Sequence, residues 1–320
     1  MTPRILVTGA GGYLGSQLVA ALAQREGDAG RLLAVDVRPP RADLPAGVAY
    51  AQMDVRAPEL RALFVEHRPE VVVHLASIVT PGPGSDRAFE YSVDVGGSEN
   101  VLRACAAAGV RRLIVSSSGA AYGYHADNPA WITEDQPLRG NESFAYAHHK
   151  RLVEEMLARA RQDTPQLEQV VFRIGTILGE RVANQITALF DKPRLLAIQG
   201  SDSPFVFVWD QDVVGAILRA IDDGPPGVYN LTGDGALTLP QIAERLGKRC
   251  LVLPAGLLRT ALALLKSLGL TRYGPEQVDF LRYRPVLANT RLKTVFGYTP
   301  RLSSGEVFDL YLVARNARKA

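Results

Sequence analysis

The chain opens with the segment Ile5-Leu6-Val7-Thr8-Gly9-Ala10-Gly11-Gly12-Tyr13-Leu14-Gly15. A short apolar run ends at Thr8, glycines follow at positions 9, 12 and 15, and leucines then recur every fourth residue from Leu14. This order predicts a strand, a tight turn and an amphipathic helix whose first backbone N–H groups face a pyrophosphate. The residues predicted to form this dinucleotide site are Gly9, Gly12, Tyr13, Leu14 and Gly15.

Outward from this turn, apolar runs of strand length alternate with helical stretches through the first half of the chain. Most of these runs are continuously apolar, which is typical of strands buried on both faces of a parallel sheet. Strand–helix–strand repetition with short loops predicts an α/β fold with a doubly wound parallel sheet of the Rossmann type. The predicted strands are Ile5–Thr8, Leu32–Asp36, Ala49–Asp54, Val71–Ala76, Leu113–Ser118 and Val170–Ile174.

The pattern changes after Gly175, where shorter apolar runs mix with helical stretches, and it becomes mostly helical from Leu251 onward. This change predicts a smaller, mostly helical C-terminal domain that binds the substrate at the carboxyl edge of the sheet. The predicted dinucleotide-binding domain comprises residues 1–175 and about 204–230, and the substrate-binding domain comprises about 176–203 and 231–320. Leucines at helical spacing within Ala255–Leu270 predict a helix that packs into a core or forms a lid, and the alternative is a helix that contacts a membrane surface or another subunit.

The composition narrows the class of protein. The 320 residues are 47% hydrophobic and 22% charged, which excludes a disordered chain. A net charge of +3 gives no reason to expect nucleic acid as a partner. Cys105 and Cys250 are too few for a disulfide framework or a zinc cluster, so we expect no metal and a reducing, cytoplasmic location. The chain contains no apolar run of about 18 residues, so no membrane span is predicted.

Asp36 ends the second predicted strand, about twenty residues after the glycine turn. A carboxylate at this position accepts hydrogen bonds from the hydroxyls of the adenosine ribose and repels a 2′-phosphate. NAD is therefore the predicted cofactor, and NADP is disfavoured. Arg38 lies two residues after Asp36, and its side chain would weaken the preference for NAD over NADP.

A second group of residues predicts chemistry at the same edge of the sheet. The fifth strand ends at Ser118, and Tyr146 and Lys150 follow at a spacing that places them on one face of a helix. An ammonium beside a phenol favours the phenolate and lowers the pKa of the phenol. Such a tyrosine exchanges a proton with the substrate while the cofactor moves hydride, and a serine hydroxyl holds the reacting oxygen. Ser118, Tyr146 and Lys150 are therefore the predicted catalytic residues.

These motifs together resemble the extended short-chain dehydrogenase/reductases, and within them the NAD-dependent epimerase/dehydratase group. The resemblance covers nearly the whole chain, including the later segment Phe207-Val208-Trp209-Asp210-Gln211-Asp212-Val213. It implies a Rossmann fold, a catalytic serine, tyrosine and lysine, and a contact of Lys150 with the nicotinamide ribose. The cofactor-binding residues that the resemblance adds are Asp54, Val55, Leu75, Ala76, Ser77, Asn100, Tyr146, Lys150, Arg173, Gly175 and Thr176.

Two departures from the family pattern bear on the substrate. Members that act on nucleotide sugars usually carry Asn where Thr176 stands, and an Arg where this chain has Ser203-Pro204. Since that Arg pairs with the diphosphate of the substrate, its absence argues against a sugar nucleotide and predicts weak binding of UDP. The side chains that would substitute for it are Arg181, Arg194, Arg284 and Arg291.

The function predicted first is an NAD-dependent oxidoreductase that interconverts a secondary alcohol and a ketone on a small or apolar substrate. The second prediction is an epimerase or dehydratase of nucleotide sugars that holds its NAD tightly. The third is a regulatory protein that binds NAD without catalysis, which the complete set of Ser118, Tyr146 and Lys150 disfavours. Helices within Asp86–Gly109 and Ser143–Asp163 are the expected contact surface of a homodimer.

Overall fold

A parallel sheet of seven strands is the centre of the computed structural model, which describes residues 3–25, 29–82, 85–271 and 274–318. The strands of the chain are β1 (Ile5–Thr8), β2 (Leu32–Asp36), β3 (Ala49–Gln52), β4 (Val71–His74), β5 (Arg112–Ser118), β6 (Glu168–Ile174), β7 (Thr176–Leu178), β8 (Arg194–Ile198), β9 (Phe207–Trp209), β10 (Gly227–Leu231) and β11 (Arg249–Leu253). The order in the large sheet is β10-β6-β5-β4-β1-β2-β3, and all its pairings are parallel. The chain direction across the sheet reverses between β1 and β4, where doubly wound sheets bind their ligands.

Helices cover both faces of this sheet. They are α1 (Tyr13–Ala23), α2 (Leu60–His67), α3 (Arg87–Tyr91), α4 (Gly97–Ala108), α5 (Ala145–Asp163), α6 (Gln185–Phe190), α7 (Asp210–Asp222), α8 (Leu239–Arg245), α9 (Ala255–Ser267), α10 (Gln277–Arg282) and α11 (Ser304–Ala317). Successive strand residues point to opposite faces, so Ile5 and Val7 join the core under α1 and α7. Leu6 joins the other core, under α2, α4 and α5. The predicted fold class is therefore confirmed.

A second group of elements lies beyond β6. β8 pairs with β11 and β7 pairs with β9, each in a parallel two-stranded sheet. Phe190, Phe207 and Phe308 form the centre of their core, with the rings of Phe190 and Phe308 edge to face at 5.4 Å between centroids. Among the helices of the described residues, none combines the length and apolar character that a membrane crossing requires.

The structure differs from the prediction at four places. β3 and β4 each end two residues earlier than expected, at Gln52 and His74, because the next residues turn at the functional edge. The helical segment predicted within Asp86–Gly109 is interrupted by a π-helical turn, Ser92–Gly96. The leucines of α9 face solvent instead of a core: no residue of α9 is buried, and Leu268, which follows it, is 62% exposed.

Candidate active site

The glycine turn forms a narrow cradle between β1 and α1. Gly9 has a φ of 71°, and a Cβ atom there would lie 2.6 Å from the backbone nitrogen of Ala76. A Cβ atom at Gly15 would lie 2.1 Å from the carbonyl oxygen of Gly9. α1 begins after Gly12, whose N-cap position has no side-chain cap, so the first N–H groups of the helix are open to a ligand. The turn therefore fits the pyrophosphate of a dinucleotide.

The side chains that follow the turn point away from this cradle. The Tyr13 hydroxyl donates a 2.6 Å hydrogen bond to Asp210, and burial is the main reason that the pKa of the phenol is raised. Leu14 packs against the core beneath the turn. The groups of Tyr13 and Leu14 that suit the predicted dinucleotide site are therefore their backbone N–H groups at the start of α1.

Asp36 lies at the end of β2 beside the turn. One oxygen of its carboxylate accepts a 2.9 Å hydrogen bond from the Gly11 N–H, and the other accepts from the Arg38 N–H and Nε, both at 3.0 Å. Burial alone would raise the pKa of Asp36, but the hydrogen bonds and charge of Arg38 lower it below its usual value. The carboxylate is thus ionised, and Arg38, with its side chain 59% exposed, is the cation nearest to it.

The segment after β3 is held from α4. The Asn100 amide donates 2.8 Å hydrogen bonds to the carbonyl oxygens of both Val55 and Ala57. Asp54 pairs with Arg56 at 2.6 Å and is partly exposed. Asn100 therefore fixes the backbone of this segment, and the cofactor contacts expected of Asp54, Val55 and Asn100 stay predictions.

The end of β4 closes against the glycine turn. The Leu75 N–H donates to the carbonyl oxygen of Thr8 at 3.1 Å, and the Ala76 backbone lies against Gly9. The Ser77 hydroxyl donates a 2.9 Å hydrogen bond to Asp94 in the π-helical turn. Leu75, Ala76 and Ser77 therefore continue the edge on which Gly9 and Asp36 lie.

The three predicted catalytic residues meet at the carboxyl end of β5. Ser118 is the last residue of β5, and Tyr146 and Lys150 lie one turn apart near the start of α5. Ser118 Oγ accepts from the Ala120 N–H at 3.2 Å, and the Ser118 hydroxyl is close enough to the Tyr146 phenol to act on its pKa. Lys150 Nζ lies 5.6 Å from the centre of the Tyr146 ring and donates to the Ser116 carbonyl at 2.9 Å. The arrangement has a proton donor and acceptor, an orienting hydroxyl and a cation in one place.

Burial is the largest influence on the pKa values of Tyr146 and Lys150. It raises the pKa of Tyr146 above its usual value, while the nearby Ser118 hydroxyl lowers that pKa. Burial also lowers the pKa of Lys150, against the charges of Asp94 and Glu154. The i, i+4 spacing of Tyr146 and Lys150 predicted a lowered pKa for the Tyr146 phenol. The pKa is raised instead, because burial removes hydration and so penalises the phenolate.

Arg173 in β6 has a buried side chain. Its guanidinium forms a buried ion pair with Glu154 of α5 at 2.8 Å and donates to the Tyr122 hydroxyl at 2.7 Å and the Glu134 carbonyl at 3.1 Å. The Ser117 hydroxyl donates to the same Glu154 carboxylate. These contacts hold α5 against β5 and β6, and the cofactor contact expected of Arg173 stays a prediction.

The chain leaves β6 through two further predicted residues. The Gly175 N–H donates to the Leu231 carbonyl at 3.0 Å, and a Cβ atom at Gly175 would lie 3.1 Å from Thr232 Oγ1. The Thr176 N–H donates to the Val206 carbonyl at 3.1 Å. Both residues are at the carboxyl end of β6, on the same edge as Ser118.

An aromatic cluster lies on the substrate side of Tyr146. The Tyr124 ring contacts Phe144 and Phe280 edge to face, with centroid distances of 5.0 and 5.1 Å. Phe144 is the N-cap of α5, and Tyr124 is close enough to Tyr146 to affect its pKa. The wall next to the phenol is therefore largely apolar and built partly from α10.

One cation is set into this wall. The Arg284 guanidinium lies 3.9 Å from the centre of the Phe205 ring and 4.3 Å from that of Phe280, and its Nε donates to Ser203 Oγ at 3.2 Å. Burial lowers the pKa of Arg284 to about 10, so the group stays charged at neutral pH. In the described ranges no carboxylate forms an ion pair with it. Arg284 therefore occupies the region where the sequence has Ser203-Pro204 in place of an arginine.

Comparison with known proteins gives the family. The sequence model of the NAD dependent epimerase/dehydratase family matches residues 5–232. The chain belongs to this family. The predicted family and enzyme class are thereby confirmed, and NAD is the family's cofactor.

Relatives in the epimerase/dehydratase family cover most of the chain. An uncharacterized protein of Mycobacterium tuberculosis is 28% identical over 316 residues, which are 97% of this chain and 84% of the relative. A UDP-glucose 4-epimerase of Erwinia amylovora is 31% identical over 190 residues, 57% of this chain and 56% of the enzyme. The solved Thermus thermophilus UDP-glucose 4-epimerase, a complex with NAD, is 26% identical, with a TM-score of 0.73 over 98% of this chain and 99% of that one.

For this epimerase/dehydratase family member we expect NAD to bind at least about tenfold more tightly than NADP, because the 2′-phosphate of NADP would meet the Asp36 carboxylate. Calorimetric titration with both dinucleotides measures the difference. Asp36→Asn keeps an acceptor for the Gly11 N–H but removes the negative charge, so the affinities for NAD and NADP should become more similar. Arg38→Gln removes the nearby cation, so the preference for NAD over NADP should increase. Equal or tighter binding of NADP by the unaltered protein would contradict the assignment of Asp36.

Proposed function

We propose that this protein is an NAD-dependent oxidoreductase that interconverts a secondary alcohol and a ketone, with Tyr146 as acid and base. The observation that supports it is the meeting of Ser118, at the end of β5, with Tyr146 and the buried Lys150 of α5, on the edge that carries the glycine turn. When bound, NAD supplies the hydride acceptor and a positive charge close to the phenol.

The residues of the chain then have separate tasks. The Ser118 hydroxyl orients the oxygen of the substrate, and the Tyr146 phenolate accepts the hydroxyl proton as the carbon loses hydride. Lys150, as an ammonium, stabilises that phenolate. In the reverse direction the Tyr146 phenol returns the proton to the ketone oxygen.

The cleft wall supports a small or apolar substrate. Tyr124, Phe144 and Phe280 present aromatic surface next to Tyr146. Apolar walls with a few polar groups are typical of sites that bind small molecules. We propose that the alcohol-bearing carbon is held between this wall and the hydroxyls of Ser118 and Tyr146.

An epimerase or dehydratase of nucleotide sugars is the second candidate, and Arg284 favours it. A guanidinium with no carboxylate partner among the described residues is suited to pair with a phosphate or another anionic group of a substrate. The names of the Erwinia and Thermus relatives point in the same direction. An enzyme of this kind uses the same proton transfer at Tyr146, retains its dinucleotide and releases no NADH.

Titration with UDP separates the two candidates. For the oxidoreductase we expect a Kd above ~1 mM, which corresponds to about −4 kcal/mol. The reasons are that Thr176 carries no amide, Pro204 has no backbone donor and Asp202 repels a diphosphate. A low micromolar Kd that is lost in Arg284→Gln would instead establish the nucleotide-sugar candidate. Arg111→Gln, which removes an exposed arginine that lies 3.1 Å from Glu168, is the matched control.

A further part of the proposal concerns the oligomeric state of the protein. We propose a homodimer formed through the outer faces of α4 and α5, where Ala106, Ala107 and Arg159 are exposed. Sedimentation equilibrium of the purified protein tests it, and a monomer at micromolar concentration would contradict it.

The two cysteines bear on the location of the protein in the cell. Cys105 and Cys250 are both free thiols, which supports a reducing compartment such as the cytoplasm.

A further inference from the structure

A buried ionisable pair lies beside the catalytic helix and is not used by the proposed chemistry. Asp94, 3% exposed, sits in the π-helical turn between α3 and α4, and His149, 1% exposed, precedes Lys150 in α5. Their Oδ2 and Nδ1 atoms are 3.0 Å apart. Since an ionised carboxylate only accepts hydrogen bonds, His149 donates from Nδ1. π-helical turns within helices occur frequently at functional sites.

The other oxygen of Asp94 reaches a different element. Asp94 Oδ1 accepts from the Ser77 hydroxyl at 2.9 Å and from the Ile78 N–H at 2.8 Å. A single carboxylate therefore joins the loop after β4, the π-helical turn and α5. His149 Nε2 is buried and finds no partner within the described residues, so the contact with Asp94 is the hydrogen bond that the described residues show for this imidazole.

Lys150 follows His149 in α5 and is buried like Asp94 and His149. It is 6% exposed, and the hydrogen bond of its Nζ that the described ranges show is the one to the Ser116 carbonyl, at 2.9 Å. The titratable groups that face it are Asp94 from the π-helical turn, His74 from β4, and Tyr146 and Glu154 from its own helix.

These neighbours differ in the charge that they offer Lys150. Glu154 is paired with the Arg173 guanidinium at 2.8 Å, so its charge is compensated. His74 is neutral, because burial lowers its pKa to about 3 and its ring bonds to hydroxyls on both sides. Asp94 is the remaining carboxylate. Burial lowers the pKa of Lys150, and the charge of Asp94 opposes that effect.

We propose that Asp94, held by His149, is a positioning residue that supplies the fixed negative charge keeping Lys150 an ammonium and that fixes the loop after β4 against α5. The proposal rests on the proposed role of Lys150 beside Tyr146. It assigns Asp94 no contact with substrate or dinucleotide. It explains why a carboxylate, rather than an apolar side chain, is buried in a helical turn that the site does not otherwise require.

The test measures Lys150 directly and needs no substrate. The chain has six lysines, so selective ¹³C labelling at lysine Cε gives a spectrum in which Lys150→Arg identifies the Lys150 signal. Titration of the dinucleotide-free protein then gives the Lys150 pKa. Asp94→Asn keeps the shape and an acceptor for Ser77, and it should lower that pKa by about 1 or more. Asp94→Ser also removes the charge and supplies the readout where Asp94→Asn does not fold.

Ser77→Ala is the matched control, because it removes one hydrogen bond from the same carboxylate and leaves the charge in place. Its effect on the Lys150 pKa should be much smaller than that of Asp94→Asn. An unchanged Lys150 pKa in a folded Asp94→Asn or Asp94→Ser protein would overturn the proposal. This result is distinguishable from failure of the oxidoreductase proposal, which shows in the turnover of Tyr146→Phe and leaves the titration of Lys150 interpretable.

Discussion

Tyr146→Phe should lower turnover by ~10²–10⁴-fold, the usual contribution of a positioned acid and base. The substitution removes the phenol hydroxyl near Ser118 and keeps the ring beside Lys150 and the aromatic cluster. NAD affinity should therefore remain close to that of the unaltered protein. Formation of NADH from a panel of secondary alcohols measures turnover, and calorimetry with NAD measures binding.

Two variants serve as controls for that experiment. Tyr124→Phe removes a phenol hydroxyl from the same aromatic cluster and should reduce turnover far less. Lys150→Ala should reduce both turnover and NAD affinity, because it removes the cation beside Tyr146 and the expected contact with the nicotinamide ribose. If Tyr146→Phe retains the turnover of the unaltered protein, the assignment of Tyr146 as acid and base is wrong.

Glu154→Ala should lower the free energy of unfolding by about 3–5 kcal/mol, the cost of removing one partner of a buried ion pair. The substitution leaves the Arg173 guanidinium, whose side chain is 8% exposed, without its carboxylate between α5 and β6. It also removes the acceptor of the Ser117 hydroxyl. Urea denaturation followed by circular dichroism gives the free energy of unfolding.

The neighbouring residue provides the comparison. Glu155 is on the exposed side of the same helix, where it faces Arg151 at 3.7 Å with 45% of its side chain exposed. Because exposed pairs contribute about 0–1 kcal/mol, Glu155→Ala should be nearly neutral. Equal effects of the two substitutions would show that the Arg173–Glu154 pair does not stabilise the fold.

Local patterns were sufficient to predict the large sheet and its functional edge. β1, β2, β5 and β6 are buried on both faces, and their apolar runs have the length and composition of such strands. The glycine turn requires glycine because Gly9 and Gly15 approach other backbone closely. These requirements select apolar runs of strand length and glycines at short spacings, and both can be recognised in the sequence.

Contacts between distant residues were harder to predict. Arg173 matched a family motif, but its partner Glu154 is on another element, and no local pattern links the two. The pairing of Asp94 with His149 depends on a π-helical turn that helical periodicity does not indicate. The exposure of α9 is also not visible in its leucines, because an amphipathic pattern does not say what its apolar face contacts.

The position of β10 at the margin of the sheet has a consequence for biosynthesis. β6 gains its second neighbour only when Gly227–Leu231 is available, and Phe296 then packs against Phe172 and Tyr229 at centroid distances of 5.3 and 4.8 Å. While the chain is being translated, β6 therefore has an unpaired edge until Leu231 has left the ribosome, and the Phe172 ring stays uncovered until Phe296 has followed. Such edges promote aggregation. Yield in the cell should accordingly depend on chaperones that shield nascent chains, and a fragment ending at Gly175 should accumulate in inclusion bodies.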